Sequence, residues 1–310
     1  MGPMFERVAL IGLGLIGSSL SHAMRRGNLA RTIVGHAQSQ RTRDTALRIG
    51  LASSVTATAA EAARDADLVI LCVPVGACGT VARDMGAALK AGAILTDVGS
   101  VKAAVLRDVA PFVPEGVHFI PGHPIAGTEH SGPESGFAEL FDGRWCVLTP
   151  PAGADPAAVD RLARFWKGCG SQVEVMDAQH HDLVLAITSH VPHLIAYNIV
   201  NTARHLERVT DTEVIKFSAG GFRDFTRIAA SDPVMWRDVF LNNKEAVLEM
   251  LGRFSEDLTA LQRAIRFGDG DTLYKLFVEA RAVRRGIIEA GQDTSAPDFG
   301  RPHGPPKPGE

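Results

Sequence analysis

Val8-Ala-Leu-Ile-Gly-Leu-Gly-Leu-Ile-Gly17 carries an apolar, strand-like run straight into Gly12, Gly14 and Gly17, the spacing of a dinucleotide-binding turn. The glycines have separate tasks: Gly12 permits the tight strand-to-helix turn, Gly14 lets backbone approach a pyrophosphate, and Gly17 lets the next helix pack close to the strand. That helix, read over Ser18 to Arg26, presents its N-terminal N–H groups and positive dipole end to the phosphates. A nicotinamide or flavin enzyme is the expectation. Leu15 and Ile16, at the helix start, are expected to line the dinucleotide with the glycines.

Downstream, strand and helix signals alternate. Thr32 to Gly35 predicts a strand, Arg41 to Ile49 a helix, Leu68 to Val73 a continuous apolar strand, Val75 to Leu89 a helix and Ala93 to Val98 a strand. Such alternation means a parallel sheet covered on both faces, so the expected fold is α/β, an N-terminal doubly wound Rossmann-type domain. Val73 and Pro74 end a strand on the ligand-binding edge and join the cofactor candidates. Two polar loops leave strand ends on that same edge: Asp97-Val-Gly-Ser-Val-Lys102, and Pro121-Gly-His-Pro-Ile-Ala-Gly127 after a strand over Val117 to Ile120. Strands over Trp145 to Leu148 and Gln172 to Met176 flank a helix over Pro156 to Lys167.

From Asp177 onward the strand signals stop. Helical patterns cover Ala178 to Leu206, Asp211 to Lys216, Asp232 to Phe267 and Asp271 to Ala290, which predicts an all-helical second domain. Pro192 falls inside the first of these and should kink or divide it beside His190 and His193. The division expected is 4–177 for the dinucleotide-binding domain, 178–290 for a helical substrate-binding and dimerisation domain, and 291–310 for a disordered Pro/Gly tail.

With 310 residues, 45% apolar and 22% charged, the chain has the composition of a soluble globular protein large enough for two cores. A net charge of -3 provides no electrostatic footprint for nucleic acid, and no segment reads as a membrane anchor or secretory signal. Cys72, Cys78, Cys146 and Cys169 lack close CxxC pairing and sit in or beside apolar runs, which predicts reduced thiols in a cytoplasmic protein. The adjacent pair His180-His181 diverges by about 100 degrees on a helix, so no metal site is expected there.

An NAD-selecting site places Asp or Glu at the end of the second strand, roughly 20 residues past the glycines. Gly35-His-Ala-Gln-Ser-Gln-Arg-Thr-Arg43 has none. Ser39, Arg41 and Arg43 can instead hydrogen-bond or neutralise a 2'-phosphate, which favours NADP or dual use over strict NAD.

Gly99-Ser-Val-Lys102, Gly122-His-Pro-Ile-Ala-Gly-Thr-Glu129, Ser189-His-Val-Pro-His193 and the run from Gly220 to Trp236, in this order, resemble the prephenate and arogenate dehydrogenases of tyrosine biosynthesis. The likeness runs from Val8 to Glu289. It implies oxidative decarboxylation of a cyclohexadienol with hydride transfer to NAD(P)+, and a homodimer built on the helical domains. His123 matches the family's catalytic histidine, and a neutral imidazole suits the task of taking a hydroxyl proton near pH 7. Ser100 matches a serine that bonds the same hydroxyl, with a helix N-cap before Val101 as the competing reading. Arg227 matches the arginine that binds the ring carboxylate; a surface ion pair with Asp224 or Asp232 is its competing reading. His193, Trp236 and Thr128 match substrate-pocket residues, although core packing accounts equally for Trp236. Glu129 and Asp224 resemble a charged network that gates the pocket. Two rivals remain open at this point: a β-hydroxyacid or imine reductase, which would use a lysine on its helical domain, and a dinucleotide sensor without catalysis.

Overall fold

A computed structural model of the chain describes residues 2–128, 130–205 and 211–289. The N-terminal elements are β1 (Phe5–Ile11), α1 (Leu15–Arg26), β2 (Ala30–His36), α2 (Gln40–Arg48), β3 (Ser54–Thr56), α3 (Ala59–Ala63), β4 (Leu68–Leu71), α4 (Cys78–Met85), β5 (Ile94–Asp97), α5 (Lys102–Val109) and β6 (His118–Phe119). Their strands form one parallel six-stranded sheet in the order β3-β2-β1-β4-β5-β6, the doubly wound arrangement the alternation predicts. β1 shows why the central stretches of these strands are apolar. Val8 and Leu10 join a core on one face with Leu20, Phe165 and Trp166, while Ala9 and Ile11 join a core on the other with Val69, Leu71 and Val105. Chain order reverses between β1 and β4, so the crevice at the carboxyl ends of these two strands is the switch point where such sheets bind ligands.

A second sheet follows: β7 (Gly122–Pro124), β8 (Trp145–Leu148) and β9 (Gln172–Val175), with α6 (Pro156–Gly168) between the last two. Here the sequence reading is corrected. His123 is not in a loop beyond a strand end; it is the middle residue of β7, paired antiparallel with Val147 of β8.

The helical part comprises α7 (Ala178–Leu185), α8 (Val191–Arg204), α9 (Asp211–Phe217), α10 (Gly220–Thr226), α11 (Pro233–Asn242), α12 (Lys244–Phe267) and α13 (Gly270–Glu289). A π turn over Ala186–His190 joins α7 to α8. It divides the long helix where Pro192 removes a backbone donor, as such turns commonly do. The run Ala178–Arg204 is long and apolar enough to cross a membrane by length and composition. It buries His181, Asp182, Ala186, His190 and Val191, while Leu183, Ile187 and Ile199 are exposed. The single helix expected over 232–267 is two, broken at Asn243, whose side chain is used elsewhere as described below. α3 and β3 lie in a stretch that carried no clear periodic signal.

Contacts divide the chain into a compact unit from Met1 to Met250 and a second unit from Leu251 onward. Within the first, Trp236 and Val239 of α11 enter the same core as Val69, Leu71 and Val75 of the parallel sheet. In the second, α13 leaves Tyr274, Phe277 and Val283 exposed. The Pro/Gly tail read as disordered lies outside the described residues.

Candidate active site

The glycine turn divides its labour as its spacing requires. Gly12 adopts φ +111, and a Cβ there would lie 2.2 Å from the Cys72 carbonyl oxygen; a Cβ on Gly17 would lie 2.1 Å from the Gly12 oxygen. Both are glycine because protein atoms leave no room. Gly14 is different: nothing lies within 4 Å of its Cβ position. It N-caps α1 with no side-chain partner, so bare backbone at a helix N-terminus faces open space at the switch point. That cradle fits a dinucleotide pyrophosphate, with Leu15 and Ile16 opening α1 beside it and Val73 and Pro74 just past the end of β4.

At the end of β2 the side chains have local employment. Ser39 N-caps α2 by accepting from Thr42 N, and Arg43 donates to the carbonyls of Ala37 and Gln38. Arg41 is exposed at the start of α2.

Asp97, at the carboxyl end of β5, organises the catalytic edge. One carboxylate oxygen accepts from Gly99 N at 2.8 Å and from the buried Lys102 ammonium, and the other accepts from Gly122 N at 3.1 Å. Lys102 also donates to the Gly122 carbonyl at 2.7 Å. Asp97 and Lys102 are fully buried, so each needs the other to offset its lost hydration. The clamp fixes the residues directly preceding Ser100 and His123, and so holds both on one edge. Ser100 is not an N-cap: Val101 occupies that position, and the first α5 amides, of Lys102 and Ala103, donate instead to Asp182 at 2.7 and 2.9 Å.

His123 is buried, with Nδ1 2.9 Å from His181 Nε2, while His181 Nδ1 lies 2.8 Å from Asp182 Oδ1. Its Nε2 makes no hydrogen bond among the described residues. Burial, reinforced by His181 and Lys102, holds the His123 pKa well below 6.5, so the ring is a neutral base at neutral pH. Burial likewise lowers His181, against the opposing pull of Asp182. The cysteines are free, and burial raises the thiol pKa of each, to about 12 for Cys78, so none is a nucleophile.

On the helical side, His193 stacks on Trp236 with ring centroids 3.6 Å apart and donates its Nδ1–H to the Ser189 carbonyl at 2.8 Å. His190 Nδ1 lies 3.0 Å from Asn243 Nδ2, which also donates to the Asp182 carbonyl at 2.9 Å. That double duty explains the helix break at Asn243. Burial lowers His190 to about 4. Trp236 serves both readings, packed in the core and stacked on His193, with its indole N–H unpartnered among the described residues. Arg227 is exposed, and its charge helps burial to depress the His193 pKa. Asp232 is committed as the N-cap of α11. Asp224 is exposed on α10 and Thr128 is exposed past β7; Glu129 lies outside the described residues.

His181, Asp182, Asp97 and Asn243 escaped the sequence reading. Asp97 carried a usable signal, an acid ending the apolar run Ile94-Leu-Thr-Asp97, where burial demands a cation such as the lysine five residues on.

Residues 20–175 match the family model described as prephenate dehydrogenase, nucleotide-binding domain, and residues 177–279 match prephenate dehydrogenase, dimerization domain. The cyclohexadienyl dehydrogenase of Zymomonas mobilis is 43% identical over 281 residues, 91% of this chain and 96% of that protein. Among solved structures, a prephenate dehydrogenase from Aquifex aeolicus in complex with hydroxyphenyl propionate and NAD+ superposes with a TM-score of 0.84 at 33% identity, covering 91% of this chain and 98% of the other. The Synechocystis arogenate dehydrogenase gives 0.77 at 25% identity, covering 91% and 99%.

Proposed function

The chain belongs to the prephenate dehydrogenase family, and from that membership we propose that it oxidatively decarboxylates prephenate, arogenate or both, giving 4-hydroxyphenylpyruvate or tyrosine. The observation that carries the reading is His123: a buried, neutral imidazole held through Nδ1, with Nε2 left for a substrate hydroxyl, on the edge that also carries Ser100. A bound nicotinamide dinucleotide supplies the hydride acceptor.

His123 Nε2 accepts the proton of the substrate's ring hydroxyl, which favours hydride loss from the same carbon because the developing cation becomes a carbonyl. A positioned base of this kind contributes about 100- to 10,000-fold. Ser100 orients the hydroxyl from the neighbouring loop. Arg227 supplies a bidentate cation for the ring carboxylate until carbon dioxide leaves with its bond electrons passing into the ring, and aromatisation drives that departure. His193, fixed against Trp236, reads the side chain by which prephenate and arogenate differ; Thr128 borders the same pocket, and Glu129 with Asp224 gates it. The Ser189-His-Val-Pro-His193 segment carries histidines where the reductase reading would put a lysine, so that reading is not favoured.

The backbone at Gly14 receives the pyrophosphate, in a turn that Gly12 and Gly17 make possible, and Arg41 meets a 2'-phosphate, which gives use of NADP or of both cofactors, with Ser39 supporting Arg41 through the α2 cap. The enzyme works as a homodimer through its helical region, consistent with the exposed apolar side chains of α13 and with the dimerization-domain match. Its free thiols suit the cytoplasm. The test is initial-rate measurement at 340 nm with prephenate or arogenate against NAD+ or NADP+. Reduction in at least one pairing is expected; silence in all four removes the proposal.

A further inference from the structure

The hydrogen-bonded chain behind His123 has more order than a structural contact requires. Asp182 has only acceptor atoms. Its Oδ1 receives the Lys102 amide at 2.7 Å and lies 2.8 Å from His181 Nδ1, and its Oδ2 receives the Ala103 amide at 2.9 Å. The carboxylate therefore requires a proton on His181 Nδ1. With that proton in place, neutral His181 has a bare Nε2, which can only accept across the 2.9 Å contact from His123 Nδ1. His123 must then carry its own proton on Nδ1 and present an unprotonated Nε2. Each step fixes the next, and the outcome is the one tautomer able to take a hydroxyl proton.

We infer that Asp182 and His181 are positioning residues that set the His123 tautomer and stabilise the imidazolium formed when the substrate proton reaches Nε2. The inference rests on His123 as the base. In the proton-transfer step the substrate O–H bond breaks, the proton joins His123 Nε2, and the Nδ1 proton stays donated to His181. The new positive charge is then held by the Asp182 negative charge through one intervening ring. His181 and Asp182 are both buried, so water screens this interaction little. Other charges facing the pair come from each packed element: Lys102 on α5, which its own partner Asp97 on β5 balances, and His190 in the π turn. The rival role for Asp182 is capping α5 alone, a task in which the identity of the His181 side chain would not matter.

The experiment compares Asp182→Asn, His181→Phe and His181→Gln with wild type in kcat, KM and the pH profile of kcat/KM, with dinucleotide binding read by fluorescence titration. His181→Phe abolishes the acceptor for His123 Nδ1, whereas the amide of His181→Gln can still accept there. The expected result is a kcat loss of about 100-fold or more for Asp182→Asn and His181→Phe, partial recovery in His181→Gln, and KM and dinucleotide affinity within about threefold of wild type. In Asp182→Asn the acid limb of the profile moves to lower pH, because the base loses the anion that favours its protonated form. Turnover within threefold of wild type in His181→Phe, or equal losses in His181→Phe and His181→Gln with an unmoved acid limb, overturns the relay. His123→Asn, run in parallel, separates the two claims: if it loses turnover while the other variants keep it, the relay fails alone; if it too keeps turnover, the base assignment fails first.

Discussion

Replacing Lys102 by Met tests whether the clamp that places His123 is held by charge. The side chain is similar in length and apolar, so packing changes little; what disappears is the ammonium that donates to Asp97 and, at 2.7 Å, to the Gly122 carbonyl. Asp97 would remain fully buried with only the amides of Gly99 and Gly122 as donors, at 2.8 and 3.1 Å. Removing one partner of a buried ion pair costs about 3 to 5 kcal/mol, mostly as the penalty of the uncompensated charge. A typical domain has only about 5 to 15 kcal/mol in total, so the variant should unfold at markedly lower urea. Equilibrium urea unfolding followed by far-UV circular dichroism measures this. Adding Asp97→Asn should recover part of the loss, because the remaining charge is then removed, and the cycle isolates the coupling between the two residues. A Lys102→Met loss below about 1 kcal/mol, or no recovery in the double variant, would refute the account of the clamp.

The glycine turn predicts opposite phenotypes three residues apart: Gly17→Ala should destabilise by about 2 kcal/mol or more through the clash with the Gly12 carbonyl, whereas Gly14→Ala should leave the melting temperature nearly unchanged and weaken dinucleotide binding at least about tenfold. Equal binding by wild type and Gly14→Ala would argue against the pyrophosphate cradle. Arg227→Gln should raise KM about 10- to 100-fold with little change in kcat, the signature of a lost charge-assisted bond to substrate; an unaltered KM means the ring carboxylate binds elsewhere. Stability should fall as pH drops below 6.5, since the unfolded chain then binds protons that the folded histidines refuse. His190, lowered to about 4, contributes roughly 1.4 kcal/mol per pH unit between those values, and His123 and His181 add to the slope. Urea midpoints that do not change between pH 7.5 and 5 would contradict that burial.

Legibility in the sequence followed the physics of each element. The Val8 to Ile11 stretch of β1 and all of β4 could be read because positions buried on both faces of a sheet are apolar, and the glycine turn because Gly12 and Gly17 meet backbone too closely for a Cβ. The longer helices were plain from periodicity, but α3 and α10 were not, nor was the break at Asn243, whose side-chain partners lie on α7 and in the π turn, 61 and 53 residues away. The same holds for β7, which exists only because β8 comes back antiparallel against it. Ser100 and His123 were visible by resemblance, whereas the relay behind His123 was hidden because its members reach one another across 58 residues of chain, through an ordinary-looking His-Asp pair at a helix start. The arginines at the start of α2 read as cofactor ligands, and the structure shows that one of them, the half-buried Arg43, is engaged with backbone carbonyls.

The most direct test of the central claim is the turnover of His123→Asn, measured under saturating substrate and dinucleotide beside wild type, with dinucleotide binding checked separately. The account predicts a kcat lowered by about 100- to 10,000-fold with dinucleotide affinity intact, because a proton acceptor has been removed from a site that is otherwise assembled. Near-normal turnover in that variant would mean that another group takes the hydroxyl proton.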